Sequence, residues 1–389
     1  MFRWGAPMRV LHVITSLDSG GAESVLARLC LADKQNIHSV ISLMDEGIYG
    51  GSLRNAGVQV YVAGMPRGKL TLRGLWRLWR FIRRARPDVL QTWMYHGDFL
   101  GGVLGRLAGV RNIVWGIRNT DLSPGKSSRM TILVARACAR LSRVIPAKIA
   151  VCAEKAAEVH ACLGYARDKM VMIPNGYDLA RFKPDPDARE AVRQEFSVGE
   201  EDYLVGMVAR YDPFKDHTNL ISALQLIVER GINFHCLLVG EGIGPANEAL
   251  VSVIAQAGLS TRISLLGRRS DIPDLMNGLD VHVLASSSEA FPNVVAEAMA
   301  CGTPGISTDV GDAALIVGNT GWVVPPGDPE AMADALVTAR KERALPEQWQ
   351  TRQKLARQRI ETEFSMDRMV SRFQAVWQEV SAGTGVPRG

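Results

Sequence analysis

Apolar and polar residues follow two alternating patterns along this chain. Short apolar runs rich in β-branched residues, such as Val10-Leu11-His12-Val13-Ile14 and Leu204-Val205-Gly206-Met207-Val208, are followed by longer stretches in which apolar residues return every three or four positions. The first pattern predicts strands covered on both faces, and the second predicts amphipathic helices. Strands are expected near 8–15, 37–43, 58–62, 88–92, 111–116, 148–151 and 170–173, with helices near 21–33, 70–85, 98–108, 127–142 and 153–163. A second series places strands near 203–209, 234–239, 262–266, 281–284 and 304–307, with helices near 216–230, 245–257, 271–277, 293–301 and 329–341. The stretch 349–381 reads as two helices broken near Phe364-Ser365. Alternation of this kind predicts an α/β chain with parallel sheets.

Between the two series lies Ile173-Pro174-Asn175-Gly176-Tyr177-Asp178, continuing through Pro184 and Pro186. Its prolines, glycine and polar residues mark a linker. A chain of 389 residues is too long for one ordinary core and suits two. The expected domains are 1–178 and 179–364, with a terminal segment over 365–389.

Composition narrows the class. Hydrophobic residues at 47%, charged residues at 22% and a mean hydropathy of +0.02 exclude a disordered chain. No apolar run reaches the length of a membrane-spanning helix, about 18 residues. The N-terminus lacks a signal peptide's apolar core, so a cytoplasmic location is expected. Six scattered cysteines without a C-x-x-C pair read as reduced, mostly buried thiols, and no zinc site is expected. Charge is divided unevenly. Residues 1–178 hold 25 of the 45 Lys+Arg but 12 of the 40 Asp+Glu, a balance of +13 against −8 for the remainder. A basic first half suits an anionic partner such as a membrane surface or a phosphorylated acceptor. No nucleic-acid-binding motif accompanies it, and nucleic acid is not expected as a partner.

The segment Ser288-Glu289-Ala290-Phe291-Pro292-Asn293-Val294-Val295-Ala296-Glu297 carries the most chemistry. Pro292 suits the first position of a helix, where its missing N–H is not needed. Glu289 then lies just outside that helix and Glu297 inside it. The helix N-terminus, with its free N–H groups and positive dipole end, attracts anions such as a diphosphate. Upstream, Arg210 leaves the strand over 203–209 and Lys215 follows in the loop. Cations on the carboxyl end of a parallel sheet can neutralise a departing phosphate. Gly20-Gly21 after the first strand lets backbone approach a ligand, without being the G-x-G-x-x-G of a dinucleotide site.

The acidic segment, with Glu-Ala-Met-Ala-Cys-Gly-Thr-Pro over 297–304, resembles the E-x7-E signature of retaining glycosyltransferases of family 4, which have the GT-B fold. Other segments resemble the same family: the Gly-Gly-Ala-Glu loop at 20–23, the Pro-Asn-Gly hinge at 174–176, and Ala209-Arg210 through Lys215-Asp216, where Ala209 and Asp216 replace two glycines. The resemblance implies two Rossmann-like domains facing each other across a cleft, with a terminal helix crossing back to the first. It implies that Arg210, Lys215, Phe291, Pro292, Asn293 and Val294 hold the diphosphate side of a nucleoside diphosphate sugar. Glu297 would hold the ribose and Glu289 the donor sugar. Gly20, Gly21, Gly240 (in Val239-Gly240-Glu241-Gly242) and Arg268 would complete the donor side. His96 would be a catalytic cleft residue. Arg118 and Asn119 stand where many relatives have a sugar-contacting histidine, and are expected on the acceptor or sugar side. No metal and no cofactor are implied.

The segment 69–86 is rich in Arg and Trp. Leu72, Leu75, Trp76, Trp79 and Ile82 form one stripe at helical spacing, and Arg73, Arg77, Arg80 and Arg84 another. Leu72 and Leu75 are expected to face the core with the tryptophans at the rim, where the helix meets an anionic membrane. The expected activity is transfer of a hexosyl or N-acetylhexosaminyl group, with retention, from a nucleoside diphosphate sugar, a UDP-sugar by family frequency. The acceptor is a glycan or lipid-linked glycan of surface polysaccharide, lipopolysaccharide or glycolipid. Two alternatives remain: a GT-B nucleotide-sugar epimerase, and a noncatalytic nucleotide-sugar-binding protein.

Overall fold

The computed structural model describes residues 7–18, 20–119, 128–289 and 291–383. Ser19, Ala290, the first residue of the helix expected over 127–142, and the end of the 365–389 segment lie outside them. The chain divides into two compact units, Met1–Gly176 with Met366–Gly389, and Tyr177–Ser365.

The first unit runs β1 (Arg9–Ile14), α1 (Gly21–Ala32), β2 (Ile37–Ser42), α2 (Tyr49–Asn55), β3 (Gln59–Val62), α3 (Leu72–Ala85), β4 (Val89–Thr92), α4 (Met94–Leu107), β5 (Ile113–Ile117), α5 (Arg129–Leu141), β6 (Lys148–Val151), α6 (Glu154–Cys162) and β7 (Met170–Met172). Its seven parallel strands take the order β3-β2-β1-β4-β5-β6-β7. The second unit runs α7 (Pro186–Glu195), β8 (Leu204–Val208), α8 (His217–Glu229), β9 (His235–Val239), α9 (Glu248–Gln256), β10 (Ile263–Leu265), α10 (Ile272–Gly278), β11 (Val281–Leu284), α11 (Asn293–Ala300), β12 (Gly305–Thr308), α12 (Ala313–Val317), β13 (Trp322–Val324), α13 (Pro329–Arg343) and α14 (Pro346–Glu363). Its six parallel strands take the order β10-β9-β8-β11-β12-β13. Both sheets are doubly wound. In each, the order reverses between the first and fourth strands, and ligands of such sheets bind at the carboxyl ends of the strands at that switch point. The opposite end of the second sheet is locked. Asp280, just before β11, accepts from the Leu204 N–H at 2.8 Å and is met by Arg189, Arg193 and Arg343.

The last helix, α15 (Met366–Ala382), belongs to the first unit. Trp377 donates to the Gln91 side chain at 3.1 Å, Gln374 to Asp33 at 2.8 Å, and Phe373 and Trp377 are buried in the core with Trp93 and Val10. Beside them the fold gathers His12, Cys30 and His38, whose ligand atoms lie within 4.8 Å of one another. Their spacing in the sequence hides this. Trp93 Nε1–H donates to His12 Nδ1 at 3.1 Å, His12 faces His38 at 3.0 Å, and His38 faces Asp33 at 3.1 Å. The indole is donor-only, so one direction of donation follows and the imidazoles are consumed in tying β1, β2 and α1 together. Burial alone would raise the Asp33 carboxyl, but hydrogen bonds from His38, Asn36 and the Gln35 N–H hold it well below the usual range.

Several sequence expectations are corrected. The short helices α2, α7 and α12 and strand β13 carry too few apolar repeats to be read as elements. α4 begins at Met94 rather than 98, with Met94 at φ 64°. The inward face of α3 is Gly74, Leu78 and Ile82, with Leu75 packed partly buried against the core, so of the two leucines expected inward only Leu72 is not. Leu72 is 87% exposed, because it lies two residues from Gly74, about 160° around the helix from that buried residue.

Candidate functional site

The switch point of the second sheet lies between β8 and β11. The chain leaving β8 passes through Ala209 and Arg210 into a single 3-10 turn, Pro213–Lys215, capped by Asp212. Asp216 at φ 49° then turns the backbone into α8 and caps it. The Asp212 carboxylate also takes the Arg210 guanidinium, with Nη2 at 3.1 Å. The two cations are thereby held on one crest. The chain leaving β11 crosses beside them, with Ser287 N–H donating to the Phe214 carbonyl at 2.8 Å. That bond carries Glu289 to Lys215. The two side chains form an ion pair, and Ser286 Oγ donates to the same carboxylate oxygen at 2.8 Å. Residues 74 positions apart are thus joined at the place where the topology predicts a ligand.

Arg210, Lys215, Gly240 and Val294 line one cavity of about 400 Å³, together with Val208, Ala209 and Val239. Gly240 sits at φ 151°, and a Cβ there would collide with the Ala209 carbonyl, so the β9 loop can approach the crest only without a side chain. α11 aims its N-terminus from the other side. Pro292 is the cap rather than the first helical residue, a one-position correction, because its ψ of 96° is extended. Asn293 Oδ1 accepts from the Tyr177 hydroxyl at 2.8 Å, and Phe291 packs edge-on against Phe364. Glu297 lies in the second turn of α11 and is half-buried. Arg268 stands apart from this cavity's lining, in an exposed ion pair with Glu241 at 2.7 Å.

Sequence reasoning missed Ser286 and Asp212, the residues that orient Glu289 and Arg210. It also missed His217 and Asn219, which are buried beside Lys215 with side chains that lack hydrogen-bond partners among the described residues. Burial, then the neighbouring Lys215 charge, pushes the His217 imidazole down to about 4 and keeps it neutral. Only the Asp-x-x-Lys spacing of 212–215 could have signalled the capped turn.

In the first unit the switch point lies between β1 and β4. Gly20 caps α1 in an extended conformation and Gly21 opens it, after β1. His96 follows β4 in the first turn of α4, and burial lowers its imidazole below the ordinary value. Arg118 leaves β5 and donates through Nη1 to the Ile173 carbonyl and to Asn175, each at 3.0 Å. Its guanidinium lies 5.2 Å from the Trp93 ring and 5.4 Å from Phe373, while Nε and Nη2 have no hydrogen-bond partner among the described residues. Asn119 bonds the Tyr95 hydroxyl. Among the described residues no helix is long and apolar enough to cross a membrane.

Comparison with known proteins completes the description. The family model "Glycosyl transferases group 1" matches residues 188–356, and the model "Glycosyltransferase Family 4" matches residues 19–181. The protein named "Putative glycosyltransferase EpsF" of Bacillus subtilis (strain 168) is 28% identical over 77% of this chain and 79% of its own. The UDP-Gal:alpha-D-GlcNAc-diphosphoundecaprenol alpha-1,3-galactosyltransferase of Escherichia coli is 24% identical over 70% of this chain and 72% of its own. Among solved structures, HepE of Anabaena in complex with UDP superposes with a TM-score of 0.84 at 22% identity, covering 96% of this chain and all of that one.

Proposed function

The chain belongs to the family 4, group 1 glycosyltransferases, GT-B enzymes of glycan and glycolipid synthesis, and we propose that it moves a hexosyl or N-acetylhexosaminyl group, with retention and without a metal, from a UDP-sugar to a lipid-linked glycan acceptor. The observation that carries this reading is the pairing of Lys215 with Glu289 beside Arg210, on the wall of a cavity at the second sheet's switch point. A nucleoside diphosphate leaving group gains negative charge as the glycosidic bond breaks. Lys215 and Arg210, held in place by Glu289 and Asp212, stabilise that charge without reorganising at the moment of reaction. The N–H groups of α11 from Asn293 and Val294 face the same region and add to the field. Glu289 also offers carboxylate oxygen to donor-sugar hydroxyls, and Glu297 to the ribose. The UDP complexes of HepE and the UDP-Gal donor of the E. coli relative favour uridine as the base.

The acceptor belongs to the first unit. Arg118 and Asn119 are its acceptor-side residues, with His96 as the catalytic residue and Gly20 and Gly21 as this unit's share of the donor side. Two nitrogens of Arg118 have no hydrogen-bond partner among the described residues, which supports an anion-facing role, and a neutral His96 can accept a proton or a hydrogen bond from a hydroxyl. A lipid-linked acceptor fits the segment 63–87, which holds eight Lys and Arg and no Asp or Glu. Arg80 lies over Trp76 at 5.0 Å and Arg83 over Trp79 at 5.1 Å, a pattern suited to peripheral contact with an anionic membrane.

The test is release of nucleoside diphosphate from a panel of UDP-, GDP- and ADP-sugars, with and without a membrane extract that supplies lipid-linked acceptors. Release of UDP from one donor, increased by the extract, is expected. Tight UDP binding with no release from any donor would replace this reading with the epimerase or the noncatalytic binder.

A further inference from the structure

The first unit holds a second cavity, of about 540 Å³, within the range of ~300–1,000 Å³ common to small-molecule sites. Its floor is the carboxyl end of β1 and β2, through Leu43 and Met44. One wall is α4, through Phe99 and Leu100, and another is α5, through Met130 and Val134. The third wall is the loop 65–70, fixed by Met65 N–H donating to the Leu43 carbonyl at 2.9 Å and by a turn from Pro66 to Lys69 at 3.0 Å. The lining is predominantly apolar, with hydroxyls from Thr15, Ser128 and Thr131. Arg67 and Lys69 line the cavity; among the described residues no carboxylate does, and neither cation has an ion-pair partner. His96 lines the same cavity.

The rim is as unusual as the interior. Leu70, Leu72, Trp76, Met130 and Leu133 are each more than half exposed, and they come from the loop, α3 and α5, the elements beside the opening. α5 carries Arg129, Arg136 and Arg140 and no acidic residue, so it repeats the cationic, apolar composition of α3. Thr15, Ser128, Thr131 and His96 give the lining a few polar groups, but apolar side chains dominate it and both of its charged groups are cations. An anionic head on an apolar chain matches both the cation pair and the interior.

We propose that this cavity binds the first isoprene units of a polyprenyl diphosphate-linked acceptor, with the diphosphate on Arg67 and Lys69, and that α5 joins α3 in facing the bilayer from which the chain enters. The inference rests on the transferase reading for the identity of the sugar-bearing acceptor. The binding site itself stands on the cavity. Leu72 and Trp76 keep their exposure because lipid covers them, and the bound chain extends from the cavity across that rim.

The experiment is calorimetric titration of the full chain with farnesyl diphosphate, inorganic diphosphate and farnesol, each with and without saturating UDP. Farnesyl diphosphate is expected to bind at least tenfold more tightly than inorganic diphosphate or farnesol, with an affinity that UDP leaves unchanged. Val134→Trp, which fills the cavity, should remove the gain from the chain, and Arg67→Ala with Lys69→Ala should remove the gain from the head. Thr131→Phe, at a half-exposed wall position, serves if Val134→Trp fails to fold, and UDP affinity reports folding. Equal affinities for the three probes, competition by UDP, or a chain gain that survives Val134→Trp would overturn the assignment. Farnesyl diphosphate binding in a chain that binds no UDP would leave the cavity assignment standing and remove the transferase reading.

Discussion

Lys215→Ala separates the structural from the chemical value of the ion pair at the second switch point. The Lys215 and Glu289 side chains are 22% and 15% exposed, between the surface and buried limits. Exposed pairs contribute ~0–1 kcal/mol, whereas breaking a buried pair costs ~3–5 kcal/mol. Ser286 still donates to Glu289 when Lys215 is gone, so the carboxylate is not left without a donor. A stability loss of ~1–2 kcal/mol is expected, or about 2–8 °C in Tm for a unit of this size. The chemical effect is larger. Loss of one preorganised group opposite a developing charge costs ~2.7–4 kcal/mol, about 10²–10³ in kcat. The assay is UDP release at saturating donor, run beside thermal unfolding of the same preparation. Glu289→Gln and the double variant complete the cycle. Their stability effects should be less than additive, because the two residues share one contact. A Tm drop of the expected size with turnover within tenfold of wild type would refute the reasoning. The pair would then hold the crest together without touching the leaving group.

Two further expectations follow from backbone and burial. Gly240→Ala forces a side chain onto a left-handed position against the Ala209 carbonyl, so a stability loss of ~1–3 kcal/mol is expected, with weaker UDP binding as Arg210 shifts; unchanged UDP affinity by calorimetry would show that the β9 loop does not set the crest. Asp98 is buried in α4, and burial raises its carboxyl from 3.8 to about 8, against smaller opposing bonds from Thr92 and the Gly116 N–H. A raised acid stabilises the fold in its protonated form, so its contribution is complete below about pH 4 and is lost as pH rises toward 8, by roughly 3–6 kcal/mol. Asp98→Asn should flatten that decline, and parallel urea midpoints for the two proteins between pH 4.5 and 8 would contradict it.

Much of this architecture can be read from the chain because buried parallel strands are nearly continuous apolar runs. Val10–Ile14 and Leu204–Val208 announce themselves in this way. The short helix Ala313–Val317 and the strand Trp322–Val324 do not, since a few residues cannot establish a period. The candidate site divides along the same line. Arg210, Lys215 and Glu289 stand out as charges at the ends of apolar runs, whereas the bond from Ser286 and the cap from Asp212 depend on where a loop returns in space. Leu72 illustrates the opposite failure. Its spacing fits a stripe with Leu75 and Trp76, yet the packing of Leu78 and Ile82 on the core turns that end of the helix outward, and Leu72 is left outside. Periodicity gives the angle between residues but not the phase of the helix on the sheet.

The placement of α15 bears on how the protein is made. The second unit is one continuous stretch, Tyr177–Ser365, so every residue it needs is available once Ser365 has been synthesised. The first unit begins 176 residues earlier but lacks Phe373 and Trp377 until the stretch beyond Ser365 has been made. Domains usually mature in the order of their synthesis. Here the order is reversed. The nascent first unit must keep the Trp93 and Val10 face of its sheet open while the whole second unit emerges and folds. A released chain that ends at Ser365 would therefore carry every residue of the second unit and an unfinished first one, whose open sheet face is a surface for a chaperone to cover.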